Sequence, residues 1–239
     1  MASKKFRPAW WAVIVVALLS ALMIALGVWQ LQRGFAKQAL LDRYQQASVR
    51  EPMPLAAGDV ARRGEIGRAL ARGRYDGAHQ LLLDNQSHDG APGYHVWTPL
   101  RQDDGSTVIV DRGWIAHDTA RAPDALVVPD TAVEVRGFWR TPPVPGMRLP
   151  TDNCAVLPWP RTVQFPTLDD LRCLYGARTA AGVLLMDPAE PHGFVRDWQT
   201  APELNPAKHY GYAGQWFAFT LTLLVIFVKM SFRVPSSEK

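Results

Sequence analysis

Two long apolar runs, one near each end of the chain, limit what this sequence can become more than any other feature. Ala9 to Leu31 covers 23 residues and is interrupted only by Ser20, Gly27 and Gln30. Tyr210 to Met230 is a second run, broken by two glycines, a few hydroxyls, Gln215 and Lys229. At about 1.5 Å per residue each reaches roughly 30 Å, the thickness of a bilayer's hydrocarbon core. A backbone inside lipid must satisfy its own polar groups, so both runs predict transmembrane helices.

Other uses of such runs fit less well. A cleavable signal peptide has an apolar stretch of roughly 7–15 residues before a small-residue cleavage site. Here the run is longer and continues into Trp29-Gln30-Leu31-Gln32-Arg33, which offers no such site. The second run opens with Tyr210, Tyr212 and Trp216 and closes near Lys229 and Arg233. Aromatic residues at one end and snorkelling cations at the other suit a membrane span better than a buried core helix. Mean hydropathy over the whole chain is near zero, which argues against a polytopic transporter.

The formal net charge of +4 invites a nucleic-acid reading, which fails on position. Lys4, Lys5 and Arg7 precede the first run, and Lys229, Arg233 and Lys239 close the chain against Glu238. The chain between is close to neutral and has no electrostatic footprint for phosphate backbones. The predicted partner is the lipid bilayer, with no nucleic acid. The expected plan is a tail at 1–8, a transmembrane helix at 9–31, one domain at 32–209, a second transmembrane helix at 210–230 and a tail at 231–239. The tails are denser in cations than the domain-side flanks, where Arg33, Lys37, Arg43, Arg50, Arg196 and Lys208 lie. The expectation is a bacterial-type inner membrane, both termini cytoplasmic and the domain on the periplasmic side. Cys154 and Cys173 are compatible with that compartment, and whether they meet is left open.

Within the domain, Phe35 to Ser48 reads as a short helix, ended by Pro52 and Pro54. From about Arg68 the pattern turns to strands: Leu81-Leu82-Leu83, Tyr94 to Leu100, Thr107 to Val110, Val133 to Trp139 and Gly182 to Met186. Asp103-Asp104-Gly105 predicts a hairpin turn. Thr167-Leu168-Asp169-Asp170 predicts an N-capped helix ending at Gly176. The expected fold class is α+β, with one β-rich domain, a small barrel or sandwich, tethered by a helix at each end.

Nothing argues for an enzyme. His79, His88, His95, His117, His192 and His209 include no zinc spacing, and there is no nucleophile elbow, phosphate loop or Cys-x-x-Cys-His haem attachment. Asp111-Arg112-Gly113-Trp114 ends a strand and reads as a structural ion pair beside a turn glycine. His209 differs because it opens the second run. Residues three, four and seven apart share a helix face, which sets Tyr212, Ala213 and Trp216 beneath it. Gly211, Gly214, Gln215 and Ala218 fall opposite, a surface a second helix can approach closely. An imidazole above an apolar aromatic strip suits an axial haem ligand. Arg33 and Lys208 lie at a depth suited to haem propionates. A histidine that merely anchors the helix at the interface fits the same residues. If the small-residue surface packs on the first span, His209 points away from it.

Three motifs in order resemble one family. Gly27-Val28-Trp29-Gln30-Leu31-Gln32-Arg33 closes the first run, Val110-Asp111-Arg112-Gly113-Trp114 lies in the domain, and Pro206-Ala207-Lys208-His209-Tyr210-Gly211-Tyr212-Ala213-Gly214-Gln215-Trp216-Phe217 enters the second. With the span–domain–span layout, the chain resembles the Surfeit locus protein 1 (Shy) family of cytochrome oxidase assembly factors. The resemblance implies a non-enzymatic chaperone in respiratory-chain biogenesis that binds haem a transiently and assists its insertion into the oxidase's catalytic subunit. It implies His209 as ligand to the haem iron; Tyr212, Trp216 and Arg33 join it as expected cofactor-binding residues from their placement around that histidine. The implied partners are the catalytic subunit of cytochrome c oxidase and the haem a synthesis machinery. Many members carry Asn immediately before this histidine; here the residue is Lys208, with Asn205 four residues ahead of His209. The other reading of the resemblance is a membrane-tethered scaffold that stabilises an oxidase assembly intermediate without binding haem. Outside the resemblance, which gives the cysteines no role, a redox reading uses Cys154 and Cys173 as a thiol pair serving copper, although their spacing of nineteen is no redox motif.

Overall fold

The computed structural model describes residues 5–55, 66–122, 124–142, 152–155, 158–198 and 204–233. They divide into two compact units, one built from 1–43 with 202–239 and the other from 44–201.

The first unit is a pair of helices. Helix α1 runs Trp10–Ser48, and the C-terminal helix α4 runs Pro206–Ser231. Both are long and apolar enough to cross a membrane. The sequence suggests a break between the first span and a short helix from Phe35; instead the helix is continuous to Ser48. Gln32, Arg33, Phe35 and Ala36 are all compatible with helix, and the lone Gly34 between them costs only about 1 kcal/mol. The helix does stop before Pro52, as a proline demands. Pro206 opens α4 at its first turn, where the missing N–H is no loss. The Asn205 side chain caps the helix by accepting from the Lys208 N–H at 3.1 Å.

The two helices are antiparallel. Strand β1 (Lys5–Phe6) pairs with β10 (Phe232–Arg233), so the start of one helix lies beside the end of the other. Ser20, Gly27 and Gly34 recur every seven residues on α1, as do Ala213 and Thr220 on α4, and all five are buried. A period of seven keeps small residues on one seam and lets two backbones come close. A side chain at Gly27 would meet the Phe217 ring at 2.6 Å, and one at Gly34 would strike the Tyr210 ring.

The second unit is α+β. Among its described residues an eight-stranded mixed sheet runs β2 (Met53–Pro54), β3 (Gly67–Tyr75), β7 (Val133–Arg140), β9 (Thr179–Met186), β6 (Thr107–Ala116), β5 (Ala91–Arg101), β4 (Leu81–His88) and β8 (Arg161–Val163). A further pairing of β3 with β5, Tyr75 opposite Leu100, joins the two ends of the run from β3 to β5. The hairpin at Asp103-Asp104-Gly105 joins β5 to β6, with Gly105 at φ +79° and the Ser106 N–H donating to Asp104 Oδ1. Two short helices, α2 (His117–Ala120) and α3 (Leu168–Tyr175), complete the unit.

Strands β6 and β9 are buried on both faces because alternate residues enter different clusters. Val108, Val110, Leu184 and Met186 join Trp139, Val135 and Ala69. Ile109, Val183 and Leu185 join Leu81, Trp97 and Phe138, over which α3 lays Leu171 and Tyr175. The predicted cap of α3 is a full capping box: Thr167 accepts from the Asp170 N–H, and Asp170 accepts from the Thr167 N–H. Such a cap is worth about 1 kcal/mol. Cys154 and Cys173 form a disulfide that ties the 152–155 segment to α3.

Candidate functional site in the terminal helix pair

His209 lies in the first turn of α4, half-buried, on the side that meets α1. Its Nδ1 is 2.7 Å from Oε1 of Gln30. Among the described residues no hydrogen bond is made by Nε2. The buried stripe of α4 runs Ala213 and Thr220, with Trp216, Leu223 and Phe227 partly covered along it. The His209 face therefore packs on the first helix, opposite to the arrangement in which the small-residue surface does. Gly211 and Gly214 look outward, and a Cβ at either would meet nothing within 4 Å.

The reason lies on α1. Close approach comes from Gly27 and Gly34 of that helix, against which α4 sets Phe217 and Tyr210. Phe35 adds a ring 5.6 Å from that of Tyr210. Small residues on α4 are then free to face outward.

The other expected site residues are spread around this point. Trp216 is half-buried two turns along the His209 face and contacts the Phe219 ring edge-on at 6.2 Å. Tyr212 is 52% exposed, on the flank of the helix. Arg33 is exposed and lies over the Trp29 ring, 5.7 Å from its centre. Lys208 is exposed as well. Gln30 was recognisable in the sequence as a lone amide in an apolar run, but its partner was not. A polar side chain at membrane depth normally has a partner, and that is the signal that pointed to it.

The domain carries a different polar arrangement. Asp111 is buried and accepts from the Trp97 indole at 2.9 Å and the Gly113 N–H at 3.0 Å, with His95 Nδ1 3.0 Å away. Arg112 is buried among carbonyls, donating to those of His192, Leu126 and Val127 and to Gln80 Oε1. Its guanidinium also lies 4.9 Å from the Phe194 ring centre. Asp111 and Arg112 are thus not paired with each other, contrary to expectation. Successive residues of a strand point to opposite faces. Burial holds the Arg112 pKa down at about 10, and the cation still persists at neutral pH. Gly113 has φ +108°, and a Cβ there would meet the Val195 carbonyl at 2.5 Å. This cluster ties β6 to two loops.

A cleft of about 570 Å³ opens beside it, lined by Tyr75, Gln80, Leu126, Asp130 and Trp159 among others, with no imidazole or thiol in its wall. No group of three or more His, Cys, Asp and Glu suited to a metal ion occurs among the described residues.

Comparison with known proteins gives the chain a family. The model of the SURF1 family matches residues 17–221. The chain is similar to the cytochrome oxidase assembly protein SHY1 of Saccharomyces cerevisiae, 29% identical over 119 residues, or 47% of this chain and 30% of that protein. It is similar to a SURF1-like protein of Dictyostelium discoideum, 30% identical over 102 residues, covering 38% and 37% of the two chains. With Surfeit locus protein 1 of Takifugu rubripes it shares 29% identity over 121 residues, covering 44% and 50%. The matched stretch spans half or less of the length of each relative.

Proposed function

The chain belongs to the SURF1 family, and on that basis we propose that it is a membrane-anchored assembly factor for cytochrome c oxidase that receives haem a and passes it to the catalytic subunit. One observation carries the haem part of this reading: His209 has one ring nitrogen tied to Gln30 and the other free. The residues fit such a group in a second respect, because Trp216 lies two turns along the same face of α4 as the histidine and sets a half-buried ring there.

When bound, the haem would supply an iron centre that takes a nitrogen ligand. His209 holds that nitrogen, and Gln30 fixes the ring against rotation. Trp216 and Tyr212 supply apolar surface on the same helix, and Arg33 offers a cation for a propionate.

Anchoring rests on the two apolar helices. The β1–β10 pairing sets residues 5–6 and 232–233 at the same end of the pair, which supports both tails on one side of the bilayer. The intervening domain then lies on the other, and the basic tails favour the cytoplasm for the termini.

The scaffold reading assigns the protein the same place in oxidase assembly without haem contact. Deletion of the gene and complementation by the full chain test both readings. Oxidase content falls on deletion, the wild type restores it, and His209→Ala restores it poorly. Full restoration by His209→Ala favours the scaffold, and oxidase content unchanged on deletion removes the assembly role.

A further inference from the structure

Gln30 is an amide set in an apolar run, with Gly27, Val28, Trp29 and Leu31 around it. A polar group at that depth costs free energy unless it is hydrogen-bonded. Its partner is the imidazole of His209, through Gln30 Oε1 at 2.7 Å from Nδ1. An amide oxygen has lone pairs and no proton, so the contact exists only when Nδ1 carries the hydrogen. In the neutral ring that leaves Nε2 with its lone pair.

We infer that Gln30 is a positioning residue that holds His209 in the Nδ1–H tautomer and thereby presents Nε2 as a preformed ligand atom for a metal-centred group. The inference rests on the haem reading only for the identity of that group. The tautomer itself is a property of the ligand-free protein.

The physical case is the one that applies to metal-bound histidines generally. An acceptor on the far nitrogen selects the tautomer, fixes the ring plane and makes the ligating nitrogen more basic. The opposite arrangement, with the Gln30 amide nitrogen donating to Nδ1, would place the proton on Nε2 and block ligation. Ordinary interhelical adhesion would be served equally by either arrangement, so the tautomer separates a positioning role from a merely structural one.

The test needs no haem. The full chain, labelled with ¹⁵N-histidine and placed in lipid nanodiscs, reports the protonation of each ring nitrogen; the His209 signal is assigned by its loss in His209→Ala. The wild type is expected to show Nδ1 protonated and Nε2 bare. Gln30→Leu is expected to shift His209 toward the Nε2–H form, and Gln30→Glu, which keeps an acceptor, to retain Nδ1–H. A wild-type His209 in the Nε2–H form, or a Gln30→Leu signal identical to wild type, overturns the inference. If Gln30→Leu does not fold, the wild-type and Gln30→Glu spectra still decide it. A haem titration beside it separates the two claims: Gln30→Leu should weaken binding about 10–100-fold, as loss of such outer partners generally does. The expected tautomer in a wild type that binds no haem would leave the positioning role intact and remove the haem reading.

Discussion

Asp111 and Arg112 are adjacent in strand β6, yet their charged groups go to opposite sides of it, Asp111 to His95 and Trp97 and Arg112 to the carbonyls of Leu126, Val127 and His192. Each is buried to within 2%. The pair therefore acts as two separate clamps. One closes the bend at Gly113; the other fastens two loops to the sheet.

Arg112→Lys should destabilise the domain by about 2–4 kcal/mol, because an ammonium cannot reach carbonyls arranged around a planar fork. Thermal unfolding of the purified chain, followed by circular dichroism, checks this. A midpoint fall of several degrees is expected. Little change would mean the fork geometry is not needed.

Asp76 makes the domain acid-sensitive. Burial pushes its carboxyl up, but the hydrogen bonds from His79 and Arg101 outweigh that and hold it below the usual carboxylate value of 3.8. A carboxylate lowered in the folded state adds stability above its unfolded pKa, and that stability is lost as pH falls through the folded value. Asp76→Asn should cost about 1–3 kcal/mol at pH 7 and progressively less below pH ~4. Denaturant unfolding at several pH values measures it, and a cost independent of pH would contradict the account.

The helix seam gives a position-specific contrast. Gly34→Leu should force the Tyr210 ring aside and part the helices at Gln30, so that the His209 nitrogen signals lose the Nδ1–H pattern. Gly214→Leu, on the open face, should leave those signals unchanged. Equal effects of the two substitutions would mean that α4 packs with its other face inward.

Cys154→Ser with Cys173→Ser should lower domain stability by about 3 kcal/mol, the scale for a loop of this length. Haem binding should survive. Loss of oxidase maturation with haem binding intact would revive the thiol reading instead.

Much of the domain was legible in the sequence because its signals are local. Thr167 and Asp170 announce the α3 cap, and Asp103-Asp104-Gly105 marks the β5–β6 hairpin. What was not legible depends on distant partners. The parallel pairings of β6 with β9 and β4 with β8 join segments far apart in the chain. Which face of α4 forms the seam is not legible from α4 alone, because its own small residues offer one packing face while the deciding glycines, Gly27 and Gly34, lie on α1. Asp111 and Arg112 looked like a pair because neighbours in sequence were read as neighbours in space. His209 and Gln30 each stand out by position, but the contact between them, across 179 residues of chain, does not.

The central claim is that His209 binds haem a, and absorbance tests it most directly. Full-length protein purified from cells that make haem a is predicted to carry a haem a band in reduced-minus-oxidised spectra. His209→Ala, with an unchanged thermal midpoint for the domain, is predicted to lose it. A wild type without the band, or a His209→Ala variant that keeps it, would contradict the claim.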